Sequence, residues 1–242
     1  MKTALVTGSS RGIGKAIALR LAKDGYRIIV HGASDSEKLR WTVEEIKEMG
    51  GEAKAVIADL CNPKENDALY DAAKNCDILV LNASLQYRTP WIEIPSEEIT
   101  AQLNCNFVSS LKIIQAAVPY MKEQKWGRII TIGSVQETRP HPDMLIYSSS
   151  KAAQTAMVKS LALQLAKDGI TVNNVAPGVI YTDRNVEALS DTEYAKIVSD
   201  SIPAGFYGKP EDCAGIVSLL CSEESRYITG QNIFVDGGKG IQ

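Results

Sequence analysis

Histidine is scarce in this 242-residue chain, with only His31 and His141 present, and its five cysteines form no motif. Cys61, Cys76, Cys105, Cys213 and Cys221 are odd in number and scattered, with no C-x-x-C pair and no Cys/His cluster. That pattern excludes a zinc framework or a disulfide scaffold and suits reduced, mostly buried thiols. No metal is expected. Charge of one sign is also missing: 26 Lys+Arg stand against 29 Asp+Glu, for a formal net charge of -3. A general attraction for nucleic acid or for an anionic membrane is therefore not expected. Low-complexity linkers are absent, as is any repeat longer than one strand-helix unit, so nothing supports a second domain. Met1 and Lys2 run straight into the apolar TALV, from which we expect no signal peptide and a cytoplasmic protein.

What is present is a regular alternation. Short β-branched runs at Lys2–Thr7, Arg27–His31, Ala53–Ile57, Asp77–Leu81, Arg128–Ile132, Thr171–Ala176 and Gln231–Val235 predict strands. Amphipathic stretches at Gly12–Asp24, Ser36–Met49, Lys64–Lys74, Ile99–Lys122, Leu145–Lys167 and Pro210–Ser222 predict the helices between them. This order gives an α/β fold, a single doubly wound Rossmann-type domain over residues 1–242 with a seven-stranded parallel sheet and helices on both faces. One long irregular insertion, near residues 179–209, follows the sixth strand and is expected to cover a site at the carboxyl ends of the strands.

Two stretches carry chemistry. In TGSSRGIG, the glycines Gly8, Gly12 and Gly14 fall between the first strand and a helix with Ile13, Ile17 and Leu21 on its apolar face. Such a turn lets backbone N–H groups approach a pyrophosphate at the positive end of the helix. In LIYSSSKAAQTAMVKSLALQLA, Tyr147 and Lys151 are one helical turn apart, and Ala152, Ala156, Leu161 and Leu165 are expected among the buried positions. A phenol ionises near pH 10, so a neighbouring cation is needed before it can shuttle protons at neutral pH. Ser134 ends the strand GRIITIGS, at the sheet edge where such folds bind ligands.

Together the glycine turn, Ser134, Tyr147 and Lys151 resemble the short-chain dehydrogenase/reductase family over almost the whole chain. The resemblance implies reversible oxidation of a secondary alcohol to a ketone by a nicotinamide cofactor. In it, Ser134 orients the substrate oxygen, Tyr147 is the general acid or base, Lys151 lowers the phenol pKa and holds the ribose, and Asn106 organises a water linking Lys151 to solvent. The family pattern places the cofactor on Gly8, Ser10, Arg11, Gly12, Ile13 and Gly14, then on Gly32, Ala33 and Ser34 after the second strand. Asp59 and Leu60, Asn82 and Ala83, Tyr147 and Lys151, and Pro177, Gly178, Ile180 and Thr182 complete it. One departure stands out: the usual N-N-A-G after the fourth strand is here Leu81-Asn82-Ala83-Ser84.

NADP(H) is the favoured cofactor, because Gly32 replaces the aspartate that NAD users carry and Arg11 offers a guanidinium to a 2′-phosphate. NAD(H) stays open through Asp35. The substrate is expected to be a small polar molecule of the sugar or polyol class, met by Ser134, Gln136, Arg139, Tyr147, Tyr181 and Arg184, with Tyr87, Trp91, His141 and Asn185 as further candidates. Neither histidine is given a catalytic role. The similarity of GRIITIGS and GITVNNVAPG to 3-oxoacyl-carrier-protein reductases makes that activity the alternative, with Lys125 as a docking cation beside an unfavourable Asp168. A dinucleotide-binding regulator without turnover is the alternative of another class. No nucleic acid or membrane partner is expected. The resemblance also implies a homotetramer built through Ile99–Lys122 and Leu145–Lys167, the latter rich in small residues (Ala152, Ala153, Ala156, Ala162, Ala166).

Overall fold

Strand residues that alternate between two cores define the architecture. The computed structural model describes residues 1–241; Gln242, the last residue of the expected domain, lies outside the described residues. The strands are β1 (Thr3–Val6), β2 (Arg27–Gly32), β3 (Ala53–Ile57), β4 (Ile78–Leu81), β5 (Gly127–Ile132), β6 (Ile170–Pro177) and β7 (Asn232–Val235). They form one parallel sheet in the order β3-β2-β1-β4-β5-β6-β7. Leu5, Ile29, Leu79 and Ile129 enter one core, while Ala4, Val6, Ile28, Val30, Ile78, Val80 and Ile130 enter the other. Both faces are therefore dry, and this is why the central strands read as unbroken apolar runs.

Helices α1 (Gly12–Lys23), α2 (Glu37–Glu48) and α9 (Pro210–Cys221) cover the second core. Helices α3 (Asp67–Ala73), α5 (Ser109–Gln124) and α6 (Leu145–Leu165) cover the first. The strand order reverses between β1 and β4, which opens a crevice at their carboxyl ends. The cysteines are unpaired, and all but Cys61 are buried. No described helix is long and apolar enough to cross a membrane.

Three expectations are corrected. The helix expected over Ile99–Lys122 is α4 (Ser96–Leu103), a π-helical turn at Asn104–Val108, and α5 in direct succession. The wider turn carries an extra residue that hydrophobic spacing does not register. The insertion is not irregular throughout, since it contains α7 (Val186–Ser190) and α8 (Thr192–Asp200). Finally, Ala152 and Ala156 are exposed, because the buried face of α6 runs through Tyr147, Lys151, Gln154, Val158, Ala162 and Leu165. Three of those buried positions, Tyr147, Lys151 and Gln154, are polar or aromatic, so the apolar pattern alone selects the wrong face.

Candidate active site

The turn after β1 is held by side chains from both of its neighbouring strands. Thr7 Oγ1 accepts hydrogen bonds from the amides of Asn82 and Ala83, each at 3.0 Å. Asn82 Nδ2 in return donates to the carbonyls of Thr7 (2.9 Å) and Gly8 (3.1 Å). Gly8 and Gly12 have φ of +63° and +56°, values that favour glycine. At Gly14 a Cβ would stand 2.3 Å from the Gly8 carbonyl oxygen and 2.5 Å from Asn82 Nδ2. Arg11 precedes α1 in extended conformation and places no side-chain acceptor on the first amides of the helix. Those N–H groups stay available to an anion, which fits the pyrophosphate of a dinucleotide.

His31 fixes the turn from the β2 side. Its Nδ1 accepts the Gly8 N–H at 3.0 Å, so Nε2 carries the proton it gives to the Ala58 carbonyl, also at 3.0 Å. Burial pushes the imidazole down to about 4, which keeps it neutral and able to accept. One ring thus joins the glycine turn to the start of the segment carrying Asp59 and Leu60. Around the rim, Asp35 pairs with Arg40 at 2.5 Å. Arg11 lies 3.7 Å from Asp183, which Lys38 also contacts.

The other half of the site comes from β5, α6 and the segment after β6. Ser134, just past β5, accepts the Gln136 amide on its Oγ at 3.2 Å. Tyr147 and Lys151 are buried on one face of α6. Lys151 Nζ donates to the Ile132 carbonyl at 2.8 Å and to Gln154 Oε1 at 3.0 Å, and it stands 5.7 Å from the centroid of the Tyr147 ring. Burial, with the Arg184 guanidinium acting in the same direction, pushes the lysine down to about 8. Burial raises the Tyr147 phenol above its ordinary value, while Arg184 and the Ser134 hydroxyl act against that rise. In the free protein the tyrosine therefore keeps its proton.

Asn106, in the π-turn, is fully committed. Its Oδ1 accepts the Leu85 amide at 2.8 Å, and its Nδ2 donates to the Leu85 carbonyl and to Ser150 Oγ, each at 2.9 Å. It pins the loop after β4 to α6, and among the described residues its hydrogen bonds do not include Lys151. The departure at Ser84 has a partner: Arg184, from the segment after β6, donates to the Ser84 carbonyl at 2.9 Å, to Ser84 Oγ at 3.3 Å and to Gln86 Oε1 at 3.2 Å.

These parts line one cavity of about 520 Å³. Of the expected cofactor positions, Gly8, Ser10, Arg11, Gly12, Ile13, Gly32, Ala33, Asp59, Leu60, Asn82, Ala83, Tyr147, Lys151, Pro177, Gly178, Ile180 and Thr182 line it. Gly14 and Asn106 support it from behind, and Ser34 lies outside. Among substrate candidates, Ser134, Gln136, Tyr147, Arg184 and Asn185 are in the wall. Arg139 and Tyr181 are not. Arg139 turns away to the Lys239 carbonyl at 2.5 Å, and Tyr181 stacks on Tyr207 with ring centroids 5.8 Å apart. Tyr87, Trp91 and His141 also lie outside the lining. Sequence reasoning missed Arg88, Tyr194 and Val198 in the wall, as well as Gln154 behind it. Only the fold brings these residues to the cavity.

Comparison with known proteins agrees with this geometry. Residues 8–239 match the family model described as Enoyl-(Acyl carrier protein) reductase. A 3beta-hydroxysteroid dehydrogenase 1 from Eggerthella lenta is 38% identical, over 98% of this chain and 93% of that protein. The chain belongs to the short-chain dehydrogenases/reductases. Enzymes of this family act on CH–OH groups or the corresponding ketones with a nicotinamide cofactor, and this chain is such an oxidoreductase. Two solved family members show how closely the backbone follows the pattern. A 3-oxoacyl (acyl-carrier-protein) reductase from Agrobacterium tumefaciens C58 with NADP bound superposes with a TM-score of 0.91 at 36% identity, covering 98% of this chain and 93% of that one. A gluconate 5-dehydrogenase from Burkholderia cenocepacia J2315, in complex with NADP and tartrate, gives 0.92 at 29% identity, covering 100% and 96%.

The neutral His31 makes stability depend on pH. Unfolded, the ring protonates near 6.5; folded, it does so only near 4. Its contribution is thus complete above pH 6.5 and is lost as pH falls from there to about 4, by roughly 3 kcal/mol. Urea unfolding across this range should show that slope in the parent and a flatter one in His31→Gln.

Proposed function

We propose that this protein is an NADP-dependent oxidoreductase for a small polar secondary alcohol or its ketone, of the sugar, polyol or sugar-acid class. The observation that carries the reading is the meeting of Ser134, Tyr147 and Lys151 with the glycine turn around one cavity. The nicotinamide, when bound, supplies or accepts the hydride. Ser134 holds and polarises the substrate oxygen. In reduction, the Tyr147 phenol gives its proton to that oxygen as the carbonyl carbon becomes tetrahedral; in oxidation, the phenolate takes the proton of the alcohol. A buried phenol that keeps its proton is poised to donate, whereas the reverse direction needs nearby positive charge to stabilise the phenolate. Lys151 supplies that charge and also holds the ribose hydroxyls. Asn106 contributes by fixing the loop after β4 against α6.

Three features support the cofactor and substrate assignments. Gly32 ends β2 without a carboxylate, and Asp35 pairs with Arg40, so neither of these two positions sets an unpaired acid against a 2′-phosphate. At the substrate end, Arg88 and Arg184 line the cavity with Gln86 and Gln136, and neither guanidinium has an ion-pair partner among the described residues. A hydroxylated substrate bearing a carboxylate meets those donors well, and the resemblance to a gluconate 5-dehydrogenase points the same way. Acyl-carrier reduction is less well supported, because Lys122 and Lys125 are held by Asp168 at 3.1 and 3.4 Å. That pairing offsets part of the positive charge on which an acidic carrier would dock. A regulator without turnover would have no use for the tyrosine's proton.

We place the protein in the cytoplasm as a homotetramer. Ala152, Ala156 and Leu163 form an exposed stripe on α6, and Leu163 is 85% exposed. Small side chains there allow the close approach of a second helix.

Once a panel of sugar acids, polyols and ketones yields a substrate, Tyr147→Phe should retain under about a hundredth of parent turnover, with cofactor affinity nearly unchanged. Higher residual turnover removes the tyrosine from the reaction. Arg11→Ala should weaken NADP binding by about 1.5–3 kcal/mol, as for a hydrogen bond to a charged group, and leave NAD untouched; equal losses would show that Arg11 reads no phosphate. Light scattering at micromolar concentration should give the mass of four chains, and a monomer would refute the assembly.

A further inference from the structure

Lys151 and Gln154 lie one turn apart on α6, both essentially without solvent exposure. A buried ammonium has three N–H groups to satisfy. One goes to the Ile132 carbonyl and one to Gln154 Oε1; the third is left for the cavity that Lys151 lines. The carboxamide of Gln154 is not free to turn. Its Nε2 donates to Ser110 Oγ at 3.3 Å, and the Ser110 hydroxyl donates to the Asn106 carbonyl at 3.4 Å. Each bond in this series has a defined direction, so the oxygen end of the amide must face the lysine.

We propose that Gln154 is a positioning residue for Lys151: its carboxamide, oriented by Ser110, points its oxygen at the ammonium, holds it beside Tyr147 and favours its charged form. An apolar side chain at this position would leave one N–H of a buried cation unpaired, a cost met most cheaply by losing the proton. The other influences on the lysine do not balance, and burial is the largest of them. Arg184, from the segment after β6, opposes its charge together with burial, while Cys105 from the π-turn and Glu137 from the turn after β5 favour it. Tyr147, on the same helix, contributes its ring. Glu137 is itself engaged by Asn174, Asn232 and Thr155, so among the described residues Gln154 is the side-chain acceptor for the lysine, beside the Ile132 carbonyl. The series ends in an amide and a hydroxyl bonded to backbone, which hold charge in place without offering the lysine a titratable proton acceptor.

The significance for turnover rests on the reading of Lys151 as the cation beside the reacting phenol, but the titration is measured without cofactor or substrate. With lysine labelled at ¹³Cε in the full chain, the Lys151 resonance is identified by its loss in Lys151→Ala. In Gln154→Leu it should titrate about one pH unit lower than in the parent, a tenfold loss in proton affinity; in Gln154→Glu it should titrate higher. Ser110→Ala should shift it in the same direction as Gln154→Leu, by less. A purely structural glutamine would give no such opposition between the leucine and glutamate variants. Should Gln154→Leu fail to fold, opposite shifts in Gln154→Glu and Ser110→Ala carry the same test. Unchanged titration, or shifts of one sign in both, overturns the proposal. NADPH binding followed by fluorescence separates the two readings: about tenfold weaker binding by Gln154→Leu above the titration, and less than twofold below it, supports both. The expected NMR shifts with pH-independent NADPH affinity support the role of Gln154 and reject that of the lysine's charge.

Discussion

One carboxamide crosses the reversal in the sheet, and the cofactor half of the site depends on it. Asn82 leaves the end of β4 and binds the Thr7 and Gly8 carbonyls, while Thr7 returns two hydrogen bonds to the backbone at Asn82 and Ala83. A parallel sheet leaves its strand ends unpaired at the switch point, and these bonds satisfy them without filling the crevice. The glycines are consequences of that closure. With Asn82 so near, Gly14 has no room for a Cβ, and the amides of α1 are brought to the open side.

The second half of the site is built on a costlier principle. Lys151, Asn106, Ser150 and Gln154 are polar and buried together under the cavity, and each is satisfied by directional bonds. The arrangement gives rigidity to the wall of the cavity that carries Tyr147 and Lys151. It also explains why α6 is not a simple amphipathic helix: its inward face carries Tyr147, Lys151 and Gln154, while Ala152 and Ala156 are turned outward.

Much of this was legible in the residues, for physical reasons. Strands buried on both faces announce themselves as apolar runs, and a glycine-rich turn between strand and helix has few other uses, so β1 to α1 could be read directly. Tyr147 and Lys151 share a face by helical spacing alone. What the sequence concealed were relations across the fold. Nothing near Gln154 in the chain points to Ser110, and nothing near Ser84 points to Arg184, since the first contact depends on how α5 and α6 pack and the second on how the segments after β4 and β6 meet. Arg139 and Tyr181 were misjudged for the same reason: both lie close to the site along the chain, but their side chains find partners at Lys239 and Tyr207. The π-turn at Asn104–Val108 was hidden because its extra residue leaves the apolar pattern almost undisturbed.

The segment after β6 carries Asp183 and Arg184 side by side, and the two point to opposite walls, one toward Arg11 and Lys38, the other toward Ser84 and Gln86. Arg11, Lys38 and Asp183 are substantially exposed, so their tie is weak, on the order of 1 kcal/mol or less for an exposed ion pair. Arg184, by contrast, makes charge-assisted hydrogen bonds to half-buried Ser84 and Gln86. The segment is therefore joined to one wall by ion pairs and to the other by hydrogen bonds from a guanidinium. Added salt screens the Asp183 ion pairs before it weakens the Arg184 hydrogen bonds, so the two walls of the crevice are tied to one segment by links of unequal sensitivity to ionic strength.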